Sequence, residues 1–239
     1  MFGNSPIIDE WRIVIATVSG CYAVREYLLC DLRIPAKMID RSWAESRQPM
    51  KNRDTWFETQ VKLFRQAGMN GSLAECGVFR GNFAAKINAA KPENKLYLFD
   101  TFESFCENDM DNDINSGDVP IDMRDACTQT FKNTSVENVL SVLPYPEMAI
   151  VRKGLFPATA EGIDDDFMFV DLDFDLYQPI LAGLRFFHPK MVPGGVIIIH
   201  DYFNPDFKGV ERTVTEFVSE SGVNLLAIGD TWSVAIVKQ

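Results

Sequence analysis

The stretch from residue 167 to residue 202 constrains the fold more than any other. Residues 167–170 read Phe-Met-Phe-Val, an apolar run long enough for a strand buried on both faces and too short for a helix. Ile180, Leu181, Leu184 and Phe187 then recur at helical spacing, with Pro179 in the first turn and Pro189 closing the segment. Gly194 and Gly195 turn the chain into a second apolar run over 196–199. The unit is strand, helix, strand. Polar groups cluster just past both strands: Asp171, Asp173 and Asp175 after the first, His200 and Asp201 after the second. In an open parallel sheet, ligands bind in the crevice beyond the carboxyl ends of the strands. Two neighbouring strands therefore aim oxygen ligands, and one imidazole, at a single place.

The rest of the chain alternates in the same way. A helix is expected over 54–67, with Asp54 as its cap, Phe57, Val61 and Phe64 on one face, and Gly68 at its end. Strands are expected over 73–76, 95–99, 148–151, 225–228 and 233–237, and helices over 82–90, 135–143 and around Val210, Val214, Phe217 and Val218. Such alternation predicts an α/β fold with a mostly parallel sheet and helices on both faces. The short Gly229-Asp230 link makes the last strand pair antiparallel, which gives a seven-stranded Rossmann-like sheet. Residues 105–120 read as an irregular, solvated, mobile segment that forms a lid. Their spaced aspartates do not make a calcium loop, because Ile114 stands where such a loop requires glycine and Pro120 where it requires glutamate. Residues 1–50 fit neither period cleanly and are expected to be a helical appendage, serving as lid or oligomer contact, ahead of a catalytic domain over 51–239.

A formal charge of −11 disfavours nucleic acid as a partner, since phosphate binding needs a basic surface. The five cysteines contain no Cys-x-x-Cys pair, consistent with a reduced, cytoplasmic chain. Val18-Ser19-Gly20-Cys21 imitates a lipoprotein cleavage box, but Asp9 and Glu10 precede it where a signal peptide carries positive charge. No apolar run reaches the length of a membrane span.

Glu75-Cys-Gly77-Val-Phe-Arg-Gly81 follows the first strand and opens a helix. Gly77 permits a tight turn, Gly81 a close approach, and free N–H groups at a helix start attract anions. The Gly-x-x-x-Gly spacing lacks the middle glycine of dinucleotide sites, and Glu75 favours an ammonium group. Both features suit the amino-acid end of S-adenosylmethionine better than NAD. Asp100, ending the second strand, is placed to accept the ribose hydroxyls of an adenosine cofactor. Carboxylates converging at Asp173 and Asp201 repel one another unless a cation sits among them, and Mg²⁺ suits oxygen ligands. Without metal, Asp173 would orient cofactor or substrate by hydrogen bonds. His200 is then a ligand, a supporting group or a buried strand end, with Asp201 the better ligand of the two.

Taken in order, Glu75 to Gly81, Phe99-Asp100-Thr101-Phe102-Glu103, Lys153-Gly154-Leu155-Phe156, Asp173-Phe-Asp175-Leu-Tyr177, Pro193-Gly-Gly195 and His200-Asp-Tyr202 resemble the macrocin O-methyltransferase family over about residues 50–238. The resemblance implies a class I, S-adenosylmethionine-dependent methyltransferase, acting with Mg²⁺ on a hydroxyl of a sugar, glycoside or natural product. It implies that Glu75, Gly77, Arg80, Gly81, Asp100, Thr101, Gly154 and Phe156 hold the cofactor. Asp173 and Asp201 would hold the metal, and Asp173 and His200 would serve catalysis. The family's metal pair is Asp-Asp, where this chain has His200-Asp201. The family's lid histidine has no counterpart here, so the proton acceptor is His200, an aspartate such as Asp175, or a metal-activated water. Two other readings are a catalytically silent methyltransferase-like protein and a nicotinamide oxidoreductase. A homo-oligomer built through residues 1–50 is expected.

Overall fold

A computed structural model describes residues 49–132 and 134–239. The expected appendage lies outside the described residues except for its last two positions, which begin helix α1 (Pro49–Gln66). The helix thus starts ahead of the expected cap. Proline is well suited to a first helical turn, where its missing N–H has no partner to lose. Asp54 lies inside the helix and pairs with Lys86.

Strand β1 (Ser72–Cys76), helix α2 (Asn82–Ala90) and strand β2 (Leu96–Asp100) follow as the apolar runs require. Helices α3 (Glu107–Ser116), α4 (Met123–Phe131) and α5 (Val136–Val142) lead to strand β3 (Ala149–Lys153). The Ser135 hydroxyl caps α5 by accepting the Asn138 N–H at 3.1 Å. Strand β4 (Phe167–Leu172), helix α6 (Tyr177–Phe187) and strand β5 (Met191–Ile199) make the central unit. Helix α7 (Lys208–Ser221) and strands β6 (Leu225–Ala227) and β7 (Val234–Val237) complete the chain.

The sheet runs β3-β2-β1-β4-β5-β7-β6. Strands β1 to β5 pair in parallel, and β7 is antiparallel to both β5 and β6. The chain enters at the middle of the sheet, moves outward to β3, and returns to lay β4 against the other side of β1. That reversal is a topological switch point, where loops diverge and leave a crevice. Alternation along β5 sends Ile197 and Ile199 to one core and Val196 and Ile198 to the other. The first core is covered by α6 and α7 through Ile180, Leu184, Val210 and Val214. The second is covered by α1, α2 and α5 through Phe57, Phe64, Ile87 and Val139.

The expectation for residues 105–120 is corrected by the structure: most of the segment is helix α3, packed on the body of the fold. Met110 and Asp113 are its buried face, a pattern that the surrounding acidic residues hide from a hydrophobicity reading. Leu176 stands at the N-cap of α6 and offers no side-chain acceptor. The Asp113 carboxylate takes that role from outside, accepting the Tyr177 N–H at 2.9 Å. Gly209 makes room for it, since a Cβ there would lie 2.8 Å from Asp113 Oδ2.

Burial pushes the Asp113 carboxyl up to about 6, with the Tyr177 N–H opposing and Asp118 adding to the rise. A carboxyl whose folded-state pKa is raised favours folding when protonated. Its ionisation therefore costs stability as pH rises through about 6. Asp113→Asn keeps an acceptor for the Tyr177 N–H but cannot ionise. Urea unfolding is expected to show the variant gaining about 1–2 kcal/mol on wild type between pH 5 and pH 8, allowing for solvent screening. A difference that is flat in pH contradicts this role.

Candidate active site

Two loops meet at the switch point between β1 and β4. Gly77 turns the chain after β1 at φ 87°. A Cβ there would lie 1.9 Å from the carbonyl oxygen of Asp173, so only glycine lets the two backbones touch. The Asp173 N–H donates to Cys76 O at 2.8 Å and the Gly77 N–H to Phe99 O at 2.8 Å, which pins three strand ends together.

Asp100 braces the turn from β2. Its Oδ2 accepts the N–H groups of Val78 at 2.7 Å and Phe79 at 2.9 Å. Its Oδ1 accepts the Phe102 N–H at 2.7 Å, leaving that oxygen room for one further donor. The N–H groups after the glycine, expected to face a ligand, are thus satisfied within the chain.

A cavity of about 280 Å³ opens over these loops. Gly77, Asp100, Thr101, Gly154 and Phe156 line it over β1 to β3, and Asp173, Asp175, His200 and Asp201 over β4 and β5. Phe79, Phe105 and Phe131 form an aromatic wall, with Phe131 centred 5.2 Å from Phe79 and 5.0 Å from Phe105. Most of the residues named from the sequence are therefore brought together. Three stand apart from the cavity lining. Glu75 is buried behind the turn. Arg80 is exposed, with its guanidinium 4.8 Å from the Phe79 ring centre. Gly81 admits α5: a Cβ there would meet Val139 Cγ1 at 3.0 Å.

Side chains at the β4 and β5 ends form one charged network. His200 Nδ1 lies 3.0 Å from Asp173 Oδ1 and 2.9 Å from Asp201 Oδ2. Asn204 Nδ2 donates to Asp201 Oδ1 at 2.8 Å. Asp175 shares a further hydrogen bond with Asp201. Burial opposes charge on the His200 imidazole, but Asp173 and Asp201 hold its pKa well above the ordinary value. Burial, with the Asp201 charge, pushes the Asp175 carboxyl far up, so of the pair it holds its proton the more tightly.

Arg53 is a site residue that the motifs did not disclose. Its Nη1 lies 3.2 Å from Asp173 Oδ2 and 3.6 Å from Asp171 Oδ2. Its guanidinium sits 4.3 Å from the Phe83 ring centre. The cation demanded by converging carboxylates is, in part, a side chain from a helix 120 positions away. One signal was present: Arg53 precedes Phe57 by four residues and so continues the buried stripe of α1.

Backbone strain gathers at the same place. Among the described residues, the non-glycines at positive φ are Phe79, Phe102, Asp175, Asp201 and Thr231. Three of these line the cavity. Asp175 occupies a three-residue turn closed by the Leu176 N–H on Phe174 O at 2.7 Å. Conformations costing about 1–3 kcal/mol each persist where the surrounding structure holds side chains for a task.

Sheet order, antiparallel last strand and a cleft over the switch point define the class I methyltransferase fold. A family model described as macrocin-O-methyltransferase (TylF) matches residues 47–235. The chain belongs to the macrocin-O-methyltransferase family, and it is an O-methyltransferase that uses S-adenosylmethionine. Among solved structures, the O-methyltransferase NovP superposes with a TM-score of 0.64 at 22% identity, covering 79% of this chain and 80% of that one. CalS11, the calicheamicin methyltransferase, superposes with a TM-score of 0.58 at 16% identity, covering 99% and 94%. Both share the fold. No curated protein matches the chain. Among the described residues, no helix is long and apolar enough to cross a membrane.

Proposed function

We propose that the protein transfers a methyl group from S-adenosylmethionine to a hydroxyl of a sugar or a sugar-bearing natural product, assisted by a divalent cation. The observation carrying this reading is the seam at Gly77 and Asp173. It sets a turn suited to the cofactor against a polar cluster suited to an acceptor hydroxyl. CalS11, described as a TDP-rhamnose 3'-O-methyltransferase in calicheamicin biosynthesis, supports the acceptor class by analogy of fold.

The cleft fits the cofactor. Glu75 Oε2 is buried without a hydrogen-bond partner behind the Gly77 turn, an unmet acceptor on the cofactor side of the cleft. Gly77 and Gly154 offer bare backbone, and Asp100 Oδ1 keeps acceptor capacity for a ribose hydroxyl. Thr101 and Phe156 complete this half, with Phe156 facing the adenine. Arg80 and Gly81 take part through the turn they shape. The bound cofactor supplies a methyl group made electrophilic by its sulfonium.

The polar cluster fits a cation. Asp173, His200 and Asp201 each offer a ligand atom, all within 4.8 Å of one another. Asp173 and Asp201 would hold Mg²⁺, which acidifies and orients a hydroxyl oxygen when bound. Asp173 and His200 face the acceptor, fix its direction relative to the methyl group and take part in removing its proton. The flanking Phe79, Phe105 and Phe131 keep water from the reacting atoms. We read the protein further as a cytoplasmic homodimer joined through residues 1–50; a monomeric mass in solution counts against the dimer.

A thermal-shift titration tests the core of this reading. S-adenosylmethionine at a hundred times its dissociation constant is expected to stabilise the fold by about 2.7 kcal/mol, a shift of several degrees. The shift should change when a chelator is added. No shift with the cofactor removes the reading; a shift indifferent to chelation removes only the metal.

A further inference from the structure

We infer that His200 is itself a ligand, and that the cation this site selects is a transition ion such as Mn²⁺ in preference to Mg²⁺. The inference rests on the proposed metal-assisted function and deepens it. It begins from the donor atoms. An all-carboxylate set presents hard oxygens, which suit Mg²⁺ and its retained waters. Here the two carboxylates, Asp173 and Asp201, are joined by an imidazole nitrogen. Imidazole suits first-row transition ions, and among them Mn²⁺ also suits carboxylate oxygen.

The two distances to the imidazole fit ligation. Ligands held at about 2.1 Å and at right angles around one ion stand about 3.0 Å apart. His200 Nδ1 is 3.0 Å from Asp173 Oδ1 and 2.9 Å from Asp201 Oδ2. The His200 backbone is anchored by its N–H, which donates to Leu172 O at 2.9 Å in continuation of the sheet. Supporting contacts hold the other two ligands. Asn204 and Asp175 orient Asp201, and Arg53 takes the outer oxygen of Asp173. Such outer partners set ligand direction and are worth about 10–100-fold in metal affinity. A second observation points the same way. Both carboxylate oxygens of Asp171, on the same strand as Asp173, are buried without a hydrogen-bond partner, and Arg53 Nη1 lies 3.6 Å from one of them.

Electron paramagnetic resonance of Mn²⁺ added to the full chain tests the idea without reference to turnover. Wild type is expected to bind Mn²⁺ with a ¹⁴N coupling from a directly bound imidazole, and to require a large excess of Mg²⁺ for displacement. His200→Asp should keep Mn²⁺ binding, lose the ¹⁴N coupling, and lower the preference for Mn²⁺ over Mg²⁺ by about tenfold or more. Mn²⁺ bound without nitrogen coupling in wild type, yet lost in Asp173→Asn, overturns the ligand assignment and leaves the metal site standing. Equal competition by Mg²⁺ in wild type and His200→Asp overturns the selectivity. Mn²⁺ that binds neither protein, or binds Asp173→Asn unchanged, removes the metal reading itself.

Discussion

Replacing Asp173 by asparagine is expected to lower kcat/KM for methyl transfer on the order of 10³-fold, about 4 kcal/mol of transition-state stabilisation. The cofactor should still bind nearly as well. The reason lies in which atoms do which work. The backbone oxygen of Asp173 is what abuts Gly77, and asparagine leaves it in place. The side chain is what faces His200 and Arg53. Asparagine keeps its shape but removes the charge that orders the imidazole and attracts a cation, so the acceptor hydroxyl loses its alignment. Initial rates, paired with a cofactor titration followed by melting temperature, separate the two effects. Activity within tenfold of wild type means the chemistry is performed elsewhere in the cleft. Loss of cofactor binding along with activity means that the seam, and not the charge, was disturbed.

The second large effect is on stability. Arg53→Met is expected to destabilise the protein by about 3–5 kcal/mol, read as a fall in the urea midpoint with an unchanged slope. Methionine fills the stem of the arginine and keeps contact with Phe83. It leaves Asp171 and Asp173 facing each other, with Glu75 nearby, and without the guanidinium. The burial of Asp171 is complete, and neither of its oxygens has a hydrogen-bond partner. The cost is therefore an uncompensated buried charge and not the worth of one contact. Asp171→Asn in the Arg53→Met background should recover part of the loss, because the two changes share a network. A loss below about 1 kcal/mol in the single variant would show that water already screens the cluster.

Much of this architecture was legible because strands buried on both faces leave short apolar runs that admit no helical reading. Those over β1, β4 and β5, with the glycine turn at 77, marked the sheet and the place of the crevice, whereas Gly194 and Gly195, expected to precede the strand, lie within β5. Elements whose buried face is polar or sparse were not legible. Helix α3 buries an aspartate, and α4 buries only Cys127, so neither shows hydrophobic periodicity. The start of α1 was misplaced because Asp54 has the chemistry of a cap, while its partner, Lys86, is remote in sequence. Asp100 was expected at the crevice, and it lines the cavity. Its bonds to the turn were hidden because they join residues 21 and 22 positions apart. Arg53 was hidden for the same reason on a larger scale. Sequence patterns report what each element buries; they do not report which charges share a cluster.

The contact between Gly77 and Asp173 has a consequence for how such an enzyme diversifies. A backbone seam without room for one methyl group couples the cofactor turn to the acceptor loop, so neither can be remodelled without the other. Phe105, in the loop that enters α3, and Phe131, at the end of α4, also line the cleft and take no part in that backbone contact. A change of acceptor is thus expected to fall on the roof of the cleft and to spare its floor. Selection for altered substrates in the laboratory should accumulate its changes there.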